Sequence, residues 1–208
     1  MGDMFLTKLL MLPGIIIGLT FHEAAHAFAS YKLGDPTPKQ QGRLSINPIA
    51  HIDVIGFICL LVCGFGWGKP VQINPYYYKH RRRDEFIVAI AGVTLNFIIA
   101  IIAGFVTGLV YRSYYLTGSA LMENLFYIFY YTVSINLVLM VFNLLPCPPL
   151  DGWGILSQIF NLEKYSWYPN AYKYGSIVLL ILVVTNGTSL ILTPVLNVLM
   201  NFIFGIFI

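Results

Sequence analysis

Charged side chains are scarce in this chain of 208 residues, because only 10% of them are Asp, Glu, Lys or Arg while 58% are hydrophobic. Soluble domains are about one quarter charged, so this composition excludes a soluble globular enzyme. The mean hydropathy is +0.75, and several apolar runs approach the ~20 residues that a helix needs to cross a bilayer. The chain is therefore predicted to be an integral membrane protein.

Cysteine and excess positive charge are also limited. The three cysteines lie in apolar or Pro-rich surroundings, so neither a disulfide framework nor a cysteine metal site is expected. The net charge of +3 is small and is concentrated in a few loops, which does not favour nucleic acid as a partner. These basic loops instead mark the cytoplasmic side of a membrane, where positive residues accumulate.

The apolar runs predict an all-α polytopic membrane protein with about five transmembrane helices. The runs cover residues 4–31, 86–111, 120–145, 175–184 and 189–208, and the fourth of them is short. We expect a single membrane-embedded domain over residues 1–208. Its catalytic core is expected at about 4–160, and its C-terminal membrane helices at about 172–208.

A further apolar stretch, residues 49–67, is predicted to be a re-entrant segment. Its uncharged part, residues 54–66, would form a helix of about 20 Å, which is too short to span the membrane comfortably. The loops before and after it are both basic, so both are expected on the cytoplasmic face. Alternating residues at 43–47 and 71–74 predict short β-strands that flank the segment and pair at this face.

The motif with the strongest chemical content is His-Glu-Ala-Ala-His at residues 22–26. On a helix, His22 and His26 share one face and can reach one metal ion, while Glu23 can serve as a general base beside it. Ionisable groups are costly in an apolar helix and mark functional sites unless they are paired. The pattern favours a zinc hydrolase; the alternative is two histidines that hydrogen-bond inside a helix bundle.

Catalytic zinc takes three protein ligands, so a third ligand is required. A metzincin-type histidine is excluded because its position falls on Lys32. Among the carboxylates, Glu123 lies at the outer end of a span and Glu163 lies in a polar loop, which leaves Asp53 and Asp151. Depth favours Asp151, since the span before it returns to the face where the first helix ends. The alternative for Asp151 is a helix cap in a Pro-rich turn.

A second motif, Asn-Leu-Leu-Pro-Cys-Pro-Pro-Leu-Asp-Gly at residues 143–152, completes a resemblance. Together with residues 22–26, and with shorter motifs at 32–36, 42–53 and 65–71, it resembles the site-2 protease family of intramembrane zinc metalloproteases. The chain is most similar to the minimal prokaryotic branch of that family, which lacks PDZ and CBS domains.

This resemblance implies a site and an activity. His22, His26 and Asp151 are expected to bind one Zn²⁺ per chain, with Glu23 as the general base. The expected substrate is a transmembrane protein that is cut within or near the bilayer, which is regulated intramembrane proteolysis. The sequence leaves the oligomeric state open.

The cellular location is expected from the same features. A multi-pass protein of this kind is expected in a prokaryotic cell membrane, in contact with the lipid bilayer. Because the basic loops flank the proposed site, the active site is expected toward the cytoplasmic side.

Two positions depart from the usual pattern of the family. Val93 stands where a proline is common, in a segment that keeps Asn96. The family often has the sequence Asp-Gly-Gly-Arg at the aspartate. Here residues 151–154 are Asp-Gly-Trp-Gly, so Trp153 replaces the second glycine and Gly154 replaces the arginine. Neither change removes a proposed ligand or the base. The second departure keeps an alternative open, namely a catalytically silent membrane protein of the same fold that binds partner helices.

A substrate helix must unwind before one of its carbonyls can reach a metal, which predicts further residues. Asn143 is expected to donate a hydrogen bond to the oxyanion, a role to which the resemblance also points. Asn96 and Asn136 are weaker candidates for this donor, and Asn96 is also a candidate for substrate binding; interhelical hydrogen bonds are the alternative for both. The strands around Ile46 and Ile73 are expected to bind the unwound chain by strand addition.

Overall fold

The computed structural model describes residues 2–63 and 66–208. Within these ranges the chain forms nine α-helices and two short 3-10 helices. The α-helices are α1 Gly2–Lys32, α2 Thr37–Gln40, α3 Pro48–His51, α4 Val54–Cys63, α5 Arg81–Thr117, α6 Ala120–Asn143, α7 Asp151–Phe160, α8 Tyr168–Val184 and α9 Gly187–Phe207. The 3-10 helices are Pro75–Tyr77 and Leu162–Lys164.

Four helices in the described part of the chain are long and apolar enough to cross a membrane: Phe5–Lys32 within α1, and α5, α6 and α9. Helix α8 is apolar but has only 17 residues. This corresponds to about 26 Å, less than the ~30 Å hydrocarbon core. The chain is thus an all-α multi-pass membrane protein, and the expected count of five spans is not confirmed.

The predicted strands beside the re-entrant segment are not formed. Residues 43–47 and 71–74 both lack strand structure. Among the described residues, the β pairing is limited to one isolated antiparallel bridge between Ile52 and Gly68. Backbone N–H groups of the second stretch bond instead to carboxylates of α1 and of the loop that follows it. Side-chain carboxylates therefore occupy backbone N–H groups that would otherwise pair with a neighbouring strand.

Helix α4 occupies the predicted re-entrant segment. It has ten residues, or about 15 Å, and cannot cross a bilayer. Asp53 caps its start, because the Asp53 carboxylate accepts the N–H of Gly56 at 2.8 Å. Residues 64 and 65, which belong to the same predicted segment, lie outside the described residues.

The core of the molecule is a bundle of α1, α5 and α6, and α9 packs against α5 and α6. Its buried centre consists of Ala100, Ala103, Val133, Leu137 and Ile203. Small residues let membrane helices approach closely. Gly108 of α5 is one such residue, since a Cβ there would overlap the backbone of Phe207 in α9.

Two features of the chain bring distant residues to one end of this bundle. Helix α1 carries the 22–26 motif in its last third. Helix α6 ends at Asn143, and the prolines that follow prevent its continuation until α7 begins at Asp151. Gly152 lets α7 start directly against the end of α6, because a Cβ there would overlap the carbonyl of Leu144. Asp151 is thereby returned toward α1.

Candidate metal centre

The two histidines of the 22–26 motif face each other on one side of α1. Their rings meet edge to face with centroids 4.7 Å apart, and their Nε2 atoms are 3.1 Å apart. This follows from their spacing of four residues, which places both side chains on one helical face.

Asp151, at the first position of α7, meets both rings. Its Oδ2 atom lies 3.3 Å from His22 Nε2 and 3.4 Å from His26 Nε2. The structure thus brings the three predicted ligands together from helices about 125 residues apart in sequence. Asp53, the other carboxylate that the sequence left open, caps α4 instead.

The hydrogen bonds behind the rings leave both Nε2 atoms without protons when the rings are neutral. His26 Nδ1 lies 2.8 Å from the carbonyl oxygen of Val88, and His22 Nδ1 lies 2.7 Å from the amide oxygen of Asn96. Both partners accept hydrogen bonds, so each Nδ1 is the donor and each Nε2 keeps its lone pair. The two Nε2 atoms, which lie 3.1 Å apart, therefore both present lone pairs toward the same space.

This triangle of donors fits a zinc ion. Ligand atoms 2.0–2.1 Å from a tetrahedral Zn²⁺ are separated by about 3.3–3.4 Å, close to the separations of 3.1, 3.3 and 3.4 Å observed here. In addition, Asp151 Oδ2 is buried and accepts no hydrogen bond from any described residue. A buried anionic oxygen without a donor is costly, and a cation between the three atoms would relieve that cost.

Glu23 lies beside the metal-binding triangle and touches the chain that follows α4. Its Oε2 atom accepts the backbone N–H of Val71 at 3.1 Å. Gly68 is equally close, since a Cβ there would lie 3.3 Å from Glu23 Oε1. One carboxylate oxygen is thus held by a backbone donor, and the other is available for chemistry.

The residues around Val71 belong to a segment without helix or strand structure, residues 69–74, that is held at its first end by Arg43. This side chain is only 4% exposed. Its guanidinium donates to the carbonyl oxygens of Lys69 at 2.8 Å and Pro70 at 2.6 Å, and also to that of Ala50. One buried cation therefore joins the chain on both sides of α4.

Asp35 holds the other end of the 69–74 segment. Its carboxylate accepts the N–H of Asn74 at 2.7 Å, the hydroxyl of Ser30 at 2.8 Å and the N–H of Thr37 at 2.9 Å. Burial raises the pKa of Asp35, but these hydrogen bonds outweigh it and lower that pKa below the ordinary value. Burial also raises the pKa of Tyr78, whose hydroxyl bonds to Ser30, to about 12.

A cavity of about 680 Å³ contains the proposed ligands and the proposed base. Its lining also includes apolar residues, among them Leu19, Leu139 and Phe142, and charged or polar residues, among them Arg81, Glu85, Gln158 and Glu163.

The remaining predicted site residues occupy different environments. Asn143 lines the cavity, and its side-chain amide donates to the Leu139 carbonyl of its own helix at 2.9 Å. Ile73 also lines the cavity, whereas Ile46 is 64% exposed and is not part of the described lining. Asn96 is fully buried behind His22.

The unusual Trp153 lies outside the cavity lining. Its ring stacks on Tyr168 with centroids 5.9 Å apart and meets Trp167 edge to face at 6.2 Å. This aromatic cluster joins the start of α7 to the start of α8. The departure at Trp153 therefore alters the contact between two helices, whereas Gly154, the other residue that departs from the family pattern, lines the cavity.

Sequence reasoning missed several residues around the site. Arg43 counted as a basic marker of the cytoplasmic side, as part of a family motif and as part of a predicted strand, and nothing in its sequence context indicates three carbonyl partners. Gly92 carried no chemical signal, yet a Cβ there would lie 2.5 Å from His26 Nε2 and 2.7 Å from His22 Cε1. Asn136 was not missed: it was a weaker candidate for the oxyanion donor, with an interhelical hydrogen bond as its alternative, and it accepts a hydrogen bond from Asn96 of α5.

Comparison with known proteins agrees with this geometry. The model of peptidase family M50 matches residues 106–185, a range that includes Asp151. The "Putative zinc metalloprotease YwhC" of Bacillus subtilis strain 168 is 42% identical over 183 residues, which are 88% of this chain and 84% of that protein.

Two mycobacterial proteins are more distant relatives. The "Putative zinc metalloprotease Rip2" of Mycolicibacterium smegmatis is 26% identical over 85% of this chain and 67% of its own length. The protein of the same name from Mycobacterium tuberculosis strain H37Rv is 26% identical over 83% of this chain and 66% of its own length. No solved structure matches this chain. The extent of the similarity to the Bacillus protein confirms the predicted family: the chain belongs to peptidase family M50, the site-2 proteases.

Proposed function

We propose that this chain is an intramembrane zinc metalloprotease that hydrolyses a peptide bond within or near the transmembrane segment of a membrane-protein substrate. The observation that carries the proposal is the triangle of His22, His26 and Asp151, with Glu23 beside it in one cavity. Family membership and the names of the relatives support the same reaction class. The site is proposed to face the cytoplasmic side of a prokaryotic cell membrane, because Arg81, Arg82 and Arg83 begin α5 at this end.

His22, His26 and Asp151 would hold one zinc ion per chain. When bound, zinc supplies Lewis acidity, which activates water and polarises a carbonyl group near neutral pH. The protein's own part is to keep two neutral imidazoles and one ionised carboxylate in place, because a metal ligand must be deprotonated.

Glu23 would move the proton. Its Oε2 atom is engaged by the Val71 N–H, so Oε1 is the atom that takes the proton of the attacking water. As the C–N bond breaks, the same carboxyl delivers that proton to the leaving amine. General acid–base catalysis by one positioned group typically contributes a factor of about 10²–10⁴.

Asn143 would stabilise the oxyanion of the tetrahedral intermediate. Its amide carries two N–H bonds, and one of them is used by the Leu139 carbonyl. The second is free to meet a developing negative charge at the cavity wall. The location of Asn143 eight residues before Asp151, at the end of α6, supports this role.

The unwound substrate would lie in the cavity along the 69–74 segment, with Ile73 in contact with its side chains. This segment is fixed at both ends by Arg43 and Asp35, so it can serve as a rigid template for an extended chain. Strand addition of this kind uses backbone hydrogen bonds for affinity and side-chain pockets for preference. Ile46 remains a prediction without a contact in the cavity.

The proposal is tested with the purified full chain in detergent and in liposomes. Zinc content and cleavage of a model transmembrane helix are compared for wild type, Glu23→Gln and a control, Glu123→Gln, which alters a carboxylate in the first turn of α6. We expect all three proteins to bind zinc and only Glu23→Gln to lose cleavage, by roughly 100-fold or more. Wild type without zinc, or Glu23→Gln with wild-type activity, would overturn the proposal.

The alternative function is a silent helix-binding protein with the same site. The departure at Trp153 and Gly154 is the observation that kept it open; the aromatic cluster of Trp153 lies outside the cavity lining, whereas Gly154 is part of that lining. Zinc binding without cleavage of any model helix would favour this alternative.

A further inference from the structure

A line of buried side-chain amides runs from α6 through α5 to His22 in α1. Asn136 in α6 and Asn96 in α5 are both 0% exposed. The Asn136 amide nitrogen donates to the Thr132 carbonyl at 2.8 Å, and the Asn136 amide oxygen lies 3.0 Å from the Asn96 amide nitrogen. The Asn96 amide oxygen in turn lies 2.7 Å from His22 Nδ1.

The direction of every hydrogen bond in this line follows from its backbone partners. The carbonyls of Thr132 and Gly18 can only accept. Since Asn136 must donate to Thr132, its oxygen faces Asn96. Asn96 donates to that oxygen and to the Gly18 carbonyl at 3.2 Å, so its own oxygen must face His22.

A fixed amide oxygen next to Nδ1 determines which nitrogen of His22 carries the proton. An amide oxygen accepts hydrogen bonds only, so neutral His22 must hold its proton on Nδ1. Its Nε2 lone pair then points toward His26 and Asp151. A flipped Asn96 would place two N–H groups against Nδ1 and would favour the opposite tautomer, whose Nε2 cannot bind a metal.

We propose that Asn96, with its orientation set by Asn136 and by the Gly18 carbonyl, is a positioning residue that keeps His22 in the tautomer required for metal binding. The two histidines are thus controlled by different means. His26 bonds to the backbone carbonyl of Val88, which no substitution of Val88 removes, whereas His22 depends on two side chains. The metal part of this proposal rests on the proposed zinc function, but the tautomer of His22 does not.

A purely structural role for the two asparagines would give different results. Interhelical hydrogen bonds between membrane helices contribute modestly to their association, and losing them would lower stability without changing the tautomer of His22. The tautomer is therefore the readout that separates a positioning role from simple helix packing.

The first measurement is nitrogen NMR of the full chain in detergent, with ¹⁵N-labelled histidine and a chelator to keep it metal-free. The chain has only four histidines, and the signals of His22 are assigned by their loss in His22→Asn. We expect His22 of the wild type to carry its proton on Nδ1. A wild-type His22 with its proton on Nε2 would overturn the proposal, even if the protein binds zinc.

The second measurement is zinc affinity by competition with a chelator at one fixed pH. Loss of a hydrogen-bond partner behind a metal ligand typically costs 10–100-fold in affinity, and we expect this loss for Asn96→Leu. Asn96→Asp keeps an acceptor for Nδ1, so it should retain affinity within several-fold and keep the Nδ1 proton. Asn136→Leu removes one of the two acceptors that orient the Asn96 amide and leaves the Gly18 carbonyl, so its zinc affinity should fall between these two.

Thr107→Val is the matched control. Thr107 lies in the same helix as Asn96, is 0% exposed, and bonds only to the Ala103 carbonyl of its own helix among the interactions described for it. We expect it to bind zinc like the wild type. An Asn96→Leu protein that is folded by circular dichroism and binds zinc as tightly as the Thr107→Val control would overturn the proposal. If the wild type binds no zinc, the proposed function fails, while the NMR result still decides the role of Asn96.

Discussion

At the scale of single residues, the site depends on space as much as on chemistry. Gly92 of α5 faces the two histidine rings with no side chain between them, and a Cβ there would approach His26 Nε2 to 2.5 Å and His22 Nδ1 to 2.8 Å. Both rings are held from behind by hydrogen bonds, so neither can move away without losing a partner. The histidine pair therefore requires glycine at position 92.

Gly92→Ala is expected to lower zinc affinity at least about fivefold, because overpacking of this kind costs about 1–3 kcal/mol and about 1.4 kcal/mol corresponds to a factor of ten. The measurement is chelator competition with the full chain in detergent. Gly205→Ala is the control, since a Cβ at Gly205 of α9 would meet nothing within 4 Å. Equal zinc affinity of the two variants would contradict this account of Gly92.

The residue scale is also where the sequence was most informative. The spacing of His22 and His26 on a helix, with Glu23 between them, predicted a shared face, and the structure has that face. Depth in the membrane selected Asp151 over Asp53, and the structure brings Asp151 to both rings. The partners of Nδ1 could not be predicted, because they depend on how α5 packs against α1.

At the scale of elements, the 69–74 segment shows where sequence patterns fail. Its alternation predicted a strand, but a strand needs a neighbour that offers backbone groups in register. Here Arg43, Glu23 and Asp35 occupy those groups. A side chain that bonds to distant backbone leaves no periodic signal, so neither the clamp by Arg43 nor the loss of the strand was visible in the sequence.

Arg43→Lys tests this element. Lysine lacks the planar fork that reaches several carbonyls at once, so we expect the 69–74 segment to loosen against Glu23. Hydrogen bonds of charged groups contribute about 1.5–3 kcal/mol each, and cleavage of a model transmembrane helix should fall at least about tenfold. Zinc content should stay unchanged, because Arg43 contacts none of the three proposed ligands.

Gln41→Ala is the control for Arg43→Lys. Gln41 bonds to Gln72 of the same segment at 3.0 Å, but this pair is exposed, and exposed hydrogen bonds contribute little. We expect its cleavage rate to match the wild type. Arg43→Lys with full activity, or with zinc lost, would show that Arg43 does not act through the 69–74 segment.

At the scale of the whole molecule, the bundle of α1, α5 and α6 holds the site at one end. Hydropathy predicted these three helices well because long apolar runs have few alternatives in a membrane. The number of spans was harder to predict, because α8 has 17 residues. This length is slightly below the ~20 residues that a membrane-spanning helix needs. Length alone cannot decide that case.

The central claim is that His22, His26 and Asp151 together bind one zinc ion. It is tested most directly by the zinc content of the purified full chain, measured by mass spectrometry for wild type, Asp151→Asn and Asp53→Asn. Asn can still cap α4 at position 53, so Asp53→Asn is a matched control. We predict one zinc per chain in wild type and Asp53→Asn and a strongly reduced content in Asp151→Asn. Full zinc content in Asp151→Asn, or loss of zinc only in Asp53→Asn, would contradict the claim.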